Sequence, residues 1–96
     1  MPESFEEACF QISPEVANLV IAKQHDYGHG NILKFMEQGV LVRLSDKLER
    51  LINLYQNNSS PSNESIEDSW KDIMGYGMIG LMLTRNWFTL ELKGDR

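Results

Sequence analysis

Apolar residues recur along this chain at intervals of three and four, the period of one helix face, and the clearest case is the stretch 40–56. There Leu41, Leu44, Leu48, Leu51, Ile52 and Tyr55 fall on one arc, and Arg43, Asp46, Lys47, Arg50 and Asn53 fall on the opposite one. The pattern predicts an amphipathic helix, and the other elements arrange themselves around it. On its charged side Asp46 stands one turn from both Arg43 and Arg50, the spacing of neighbouring ion pairs. A solvated face laced with such pairs is the ordinary meaning of this pattern. Leu54, one turn beyond on the same line as the cations, points to something more, because the stripe passes from charge into an apolar position.

Before that helix, Ser4 with Glu7 three residues on forms a capping box, and Phe5, Ala8, Cys9 and Ile12 line a short opening helix. Ser13-Pro14-Glu15 is a second start signal, so a separate helix is expected from Pro14 to about His25, with Val16, Leu19 and Val20 inward. Gly28 and Gly30 then interrupt the helical pattern over 26–31. That segment is either a loop presenting amides, a carboxylate and a phenol to a ligand, or a helix connection with a glycine C-cap. A short helix over 32–38, with Leu33, Phe35 and Met36 partly buried, is expected to stop at Gly39.

After the main helix, residues 57–63 read as a polar linker long enough for the next helix to return antiparallel. Ser62 or Asn63 caps that last helix, and Glu64, Glu67 and Asp68 suit the positive end of its dipole. Its expected core arc is Ile66, Trp70, Ile73, Met74, Gly77, Leu81 and Thr84. Its other side changes from Glu64, Asp68 and Asp72 to Gly75, Ile79, Met82 and Leu83, so the second half should be buried all round, in part by another subunit. Gly75, Gly77 and Gly80 each cost about 1 kcal/mol of helix propensity, which close packing of a neighbouring backbone would explain. Trp87, Phe88, Leu90 and Leu92 are expected to fold back over the core as extended chain, and residues 94–96 to fray. The fold expected is an all-α single domain over 1–96. It is a small helical bundle on an antiparallel long-helix pair, about 40–56 and 64–86, completed by oligomerisation.

Composition narrows the function. A net charge of −5 disfavours general nucleic-acid or anionic-membrane binding, while leaving room for a local basic patch. One cysteine, Cys9, permits neither an internal disulfide nor a multi-cysteine zinc site. The N-terminus carries Glu3, Glu6 and Glu7 and no signal-peptide pattern, and the longest apolar run is far short of the ~20 residues that span a bilayer. A cytoplasmic location is expected. His25 and His29 are four apart, but Gly28 between them argues against a metal pair.

If the two long helices turn their polar arcs to a common cleft, Asp46 and Glu49 approach Glu64, Asp68 and Asp72. Carboxylates so gathered would suit Mg²⁺, which takes hard oxygen ligands and shares them with substrate phosphates. Arg43, Lys47 and Arg50 would then neutralise phosphate oxygens, arginine with its bidentate fork. The same acids are equally good helix caps and solubilising groups.

Lys23, Asp26-Tyr27-Gly28, Asn31-Ile32, Val42-Arg43, Asp46-Lys47, Arg50, Asn53-Leu54, Glu64-Ser65, Asp68, Asp72, Tyr76 and Ile79-Gly80-Leu81 together resemble a known pattern. It is that of the small phage-encoded nucleotide modification associated domain, type one, from about Lys23 to Trp87. The layout is also similar to the all-α NTP pyrophosphatases of the MazG and dUTPase type, where paired acidic motifs bind Mg²⁺ and water attacks a phosphoanhydride. That resemblance implies a phage accessory protein, in the cytoplasm of an infected host, that binds a nucleotide or nucleoside phosphate. Lys23, Asp26, Tyr27, Asn31, Arg43, Lys47 and Arg50 would hold the nucleotide, and Asp46, Glu49, Glu64, Asp68 and Asp72 would hold Mg²⁺. The chain departs from the pyrophosphatases in having Asp46 where Glu is common, an acidic spacing of four in place of three, and Lys47 and Arg50 in the first site. Those cations would replace a metal and favour binding over hydrolysis. Two alternatives use the same chain differently: an inhibitor that binds a host defence protein, and a sponge that sequesters a signalling nucleotide without turnover.

Overall fold

The opening helix does not stop at Pro14. In the computed structural model, which describes residues 1–57 and 63–93 without the side chains of Asn63 and Glu64, α1 runs unbroken over Phe5–Tyr27. Ser4 caps it in extended conformation, its hydroxyl accepting from the Glu7 amide at 3.1 Å, while the Glu7 carboxylate accepts from the Glu3 amide at 2.8 Å. An interior proline removes one donor from the helix ladder and crowds the carbonyl one turn back, at a cost of about 3 kcal/mol, yet its fixed φ is helical and α1 continues through it. Beside it the Ser13 hydroxyl donates back to the Cys9 carbonyl at 2.8 Å. Ser13 is therefore inside the helix and not its start.

Gly28 ends α1 with φ +72°, its amide donating to the Gln24 carbonyl at 2.8 Å, the glycine cap that is one of the two readings of this segment. The second helix, α2, spans Gly30–Gln56 and breaks at Met36, where φ 56° and ψ −142° lie outside the helical region. The expected stop at Gly39 is thus displaced by three residues. Gly39 is needed inside the element instead, because a Cβ there would stand 2.5 Å from the Cβ of Phe35.

The third helix, α3, covers Asn63–Thr84. It closes with Asn86 at φ 60°, the Trp87 amide donating to the Met82 carbonyl at 2.7 Å and the Asn86 amide to that of Leu83 at 3.1 Å, a Schellman ending. This turn sends Phe88 back into a cluster with Ile32, Val40 and Leu83, against which Tyr76, Ile79 and Met82 pack. The His29 and Phe88 rings meet in a T-shaped arrangement at a centroid distance of 5.3 Å. The tail is turn and not extended chain, with the Leu90 amide bonded to the Trp87 carbonyl at 3.1 Å, and Trp87 and Leu90 stay exposed. The expected linker and the fraying end, 58–62 and 94–96, lie outside the described residues.

The fold is all-α, with no strand among the described residues. Helix α3 packs on both others. Lys71 of α3 meets Glu15 of α1 at 3.0 Å, Trp70 meets Tyr55 of α2, and Asp72 reaches Lys23 of α1 and Lys47 of α2. Burial on the helices differs from the apolar arcs expected. On α2 the inward residues are Val40, Leu51 and the half-buried Arg43, Leu44, Lys47 and Leu54, whereas Leu41, Leu48, Ile52 and Tyr55 are exposed. On α3, Trp70, Met74, Gly77, Leu81 and Thr84 are exposed, and Ser69, Gly75 and Leu83 are buried. The physical reason is that only one flank of each apolar arc has a helix to cover it. Of the three glycines of α3, Gly75 is a close approach, a Cβ there standing 3.2 Å from Val20 Cγ2, but Gly77 and Gly80 face open space. No described helix is long and apolar enough to cross a membrane.

Candidate functional site

The three helices enclose a recess of about 380 Å³. Leu19, Val20, Lys23, Gln24 and Tyr27 come from α1, and Gly28 from its cap. Asn31, Ile32, Arg43 and Lys47 come from α2, on both sides of the break at Met36. Asp72, Gly75, Tyr76 and Ile79 come from α3. Successive turns of each helix therefore present one face to a common space: 20, 23, 24 and 27 on α1, 43 and 47 on α2, 72, 75, 76 and 79 on α3. The break lets α2 contribute from two directions. Gly75 lets α1 approach closely.

The charge of this space is set by Asp72. Its carboxylate, 11% exposed, accepts from Lys23 Nζ at 3.1 Å on one oxygen and lies 3.1 Å from Lys47 Nζ on the other. Partial burial works to raise the Asp72 pKa, but the hydrogen bonds and charges of Lys23 and Lys47 outweigh it and hold the carboxyl below its ordinary value of 3.8. Arg43, the third cation, forms no ion pair with a described residue. Three cations and one carboxylate line the recess, so it carries a positive excess inside a protein of net charge −5. The Gln24 Nε2 is buried and has no hydrogen-bond partner, an amide donor left for whatever enters.

Of the residues the sequence proposed for a nucleotide, Lys23, Tyr27, Asn31, Arg43 and Lys47 are brought together here. Asp26 and Arg50 do not line this space. Arg50 joins Asp46 and Glu49 in a second recess of about 370 Å³, completed by Asn53, Leu54 and Asn57. The acids proposed for Mg²⁺ are divided: Asp72 in the first recess, Asp46 and Glu49 in the second, Asp68 exposed and in neither, and the Glu64 side chain outside the description. Among the described residues no three Asp, Glu, His or Cys side chains gather. The first recess offers a single carboxylate, both of whose oxygens are engaged by ammonium groups. A divalent cation takes several carboxylate oxygens; this set suits an anion.

Sequence reasoning passed over Gln24, Leu19, Ile32, Tyr76 and Ile79 as lining residues. For Gln24 a signal existed, since Val20, Lys23, Gln24 and Tyr27 stand at i, i+3, i+4 and i+7 and so share one helix face.

Fold and recess together define a small all-α domain with a cationic pocket between its helices. The profile of the family described as nucleotide modification associated domain 1 matches residues 23–83, and the chain belongs to that family. The matched segment holds every charged residue of the recess. Neither the search of curated proteins nor that of solved structures returned a match.

Proposed function

We propose that the recess binds a nucleotide or nucleoside phosphate. The observation that carries this reading is the positive excess around Arg43: Asp72 engages two of the three cations, and the guanidinium has no described counter-ion. Arg43 supplies a planar fork that matches two phosphate oxygens, and Lys23 and Lys47, already held in place by Asp72, add point charges beside it. Tyr27 and Tyr76 offer ring surface for a base, and Gln24 and Asn31 offer amide groups for its polar edge. The volume lies at the low end of the ~300–1,000 Å³ usual for small-molecule sites, which suits one nucleotide.

Binding without turnover fits the residues best, because the single carboxylate of the recess has both its oxygens engaged by Lys23 and Lys47. If Mg²⁺ takes part, it would come with the phosphate ligand and add positive charge beside Arg43, Lys23 and Lys47. The contacts 55 to 70, 47 to 72 and 40 to 83 support an antiparallel course of α2 and α3.

A thermal-shift screen with dNTPs, dNMPs and cyclic nucleotides, with and without Mg²⁺, tests the reading. A ligand at 100 times its Kd stabilises by about 2.7 kcal/mol, a readily measured rise in melting temperature. Pyrophosphate release from a dNTP would make the protein an enzyme, and tight binding without product would make it a sponge. No shift with any nucleotide at millimolar concentration would overturn nucleotide binding and bring forward an inhibitor of a host defence protein.

A further inference from the structure

We infer that the outward face of α3 binds a second copy of this chain, α3 against α3 in antiparallel orientation, crossing at Gly77. This rests on surface and pattern, and is independent of what the recess binds.

The chain is short of cover. It exposes 7319 Å², against about 5,700 Å² for a compact monomer of its mass. Its radius of gyration is 14.9 Å, where about 12.5 Å is usual for this length. The surplus of roughly 1,600 Å² lies within the range that one partner of an obligate homodimer buries.

The pattern says where. Trp70, Met74, Gly77, Leu81 and Thr84 follow at steps of three and four, the repeat that keeps one seam facing a partner helix. Trp70, Met74 and Leu81 on that seam are 49%, 44% and 55% exposed. The pocket-lining residues 72, 76 and 79 belong to the opposite arc, so the seam is free while the recess is filled.

The seam is also complementary to itself. A two-fold axis at Gly77 makes each contact reciprocal. It sets Met74 of one protomer against Leu81 of its partner and the bulky Trp70 against the small Thr84. Gly77, beside which a Cβ would meet nothing within the chain, gives the close approach that a crossing point requires. At the rim, Glu67 and Arg85 lie on the same flank of the seam. In an antiparallel pair equal flanks meet, so the carboxylate of one copy faces the guanidinium of the other at both ends. Among the described residues the Arg85 guanidinium stacks on Trp87, 4.8 Å from the ring centroid. Tyr55 accepts from Trp70 Nε1 at 3.3 Å and extends the face onto α2.

Equilibrium sedimentation of the full chain is expected to give twice the 11.1 kDa of one copy. Glu67→Arg or Arg85→Glu alone should weaken the dimer several-fold at low salt, and the two together should restore it; neither change touches the seam. In a Cys9→Ser background, Gly77→Cys should cross-link the dimer under mild oxidation, because residues on the two-fold come within disulfide reach. A monomer at both micromolar and near-millimolar concentration would overturn the inference. So would a dimer that the double charge reversal fails to restore, or one in which Gly77→Cys does not cross-link while circular dichroism shows native helix content.

Discussion

Helix α2 carries two sets of charges a few residues apart, and they have different fates. Arg43 and Lys47, one turn apart, are half-buried and turn toward Asp72 and α1. Asp46, Glu49 and Arg50 are exposed and line a recess of their own, although Arg50 lies two turns from Arg43 on nearly the same side of the helix. Residue types are alike; surroundings are not. A charge at the first set has lost part of its water and must be answered by a partner or a ligand. A charge at the second keeps its water and needs neither. Chemistry is therefore expected at the first set alone.

The largest contrast should come from arginine. Arg43→Ala is expected to weaken binding of a nucleoside phosphate by about 10- to 100-fold, the loss of one charge-assisted hydrogen-bond group. Arg50→Ala should leave it within about twofold, since an exposed charge contributes little. Calorimetric titration of both variants measures the difference, and equal losses would break the contrast.

Asp72→Asn should come next, with stability falling by about 1–2 kcal/mol, discounted for the partial exposure of Lys23 and Lys47. Affinity for the anion should rise, because the competing carboxylate is gone. A metal cage built on Asp72 would give the opposite, loss of binding. The pH dependence has the same origin. A carboxyl held below its ordinary value in the folded state contributes stability that is complete above about pH 4 and lost as pH falls through the folded pKa. Thermal melts of the native protein should therefore fall more steeply below pH 4 than those of Asp72→Asn.

Gln24→Leu should separate ligand from fold. It removes a buried donor that has no partner, so the free protein should melt unchanged or gain up to about 1 kcal/mol, while nucleotide affinity falls. The smallest effects belong to the second set. Asp46→Asn and Glu49→Gln should each change stability by less than about 0.5 kcal/mol and leave binding alone.

Much of the backbone was legible from local chemistry. The Ser4 capping box follows from a side chain acting on its own neighbours, and the helix end at Gly28 from a backbone free to take positive φ. Of the five proposed nucleotide residues that meet, Lys23 and Tyr27 on α1 and Arg43 and Lys47 on α2 are each one turn apart, and Asn31 joins them from across the break at Met36. What failed depended on tertiary placement. Ser13 and Pro14 carry a start signal for a separate helix, yet α1 runs through them, and the break at Met36 comes from no residue that favours it. Periodicity gives the apolar arc of a helix but not which flank a neighbour will cover. Hence Leu41 and Trp70 were expected inside and are exposed, while Arg43 and Lys47, on the polar arc, are half-buried. The acids proposed for one metal are split for the same reason: sharing a polar arc does not mean sharing a cleft.

The most direct measurement is an NMR titration of the side-chain signals of Arg43, Arg50 and Gln24 with a deoxynucleoside monophosphate. Saturable shifts of the Arg43 Nε–H and the Gln24 carboxamide, with Arg50 unmoved, are expected. Shifts confined to Arg50, or none at any of the three up to millimolar ligand, would contradict binding in the recess between α1, α2 and α3.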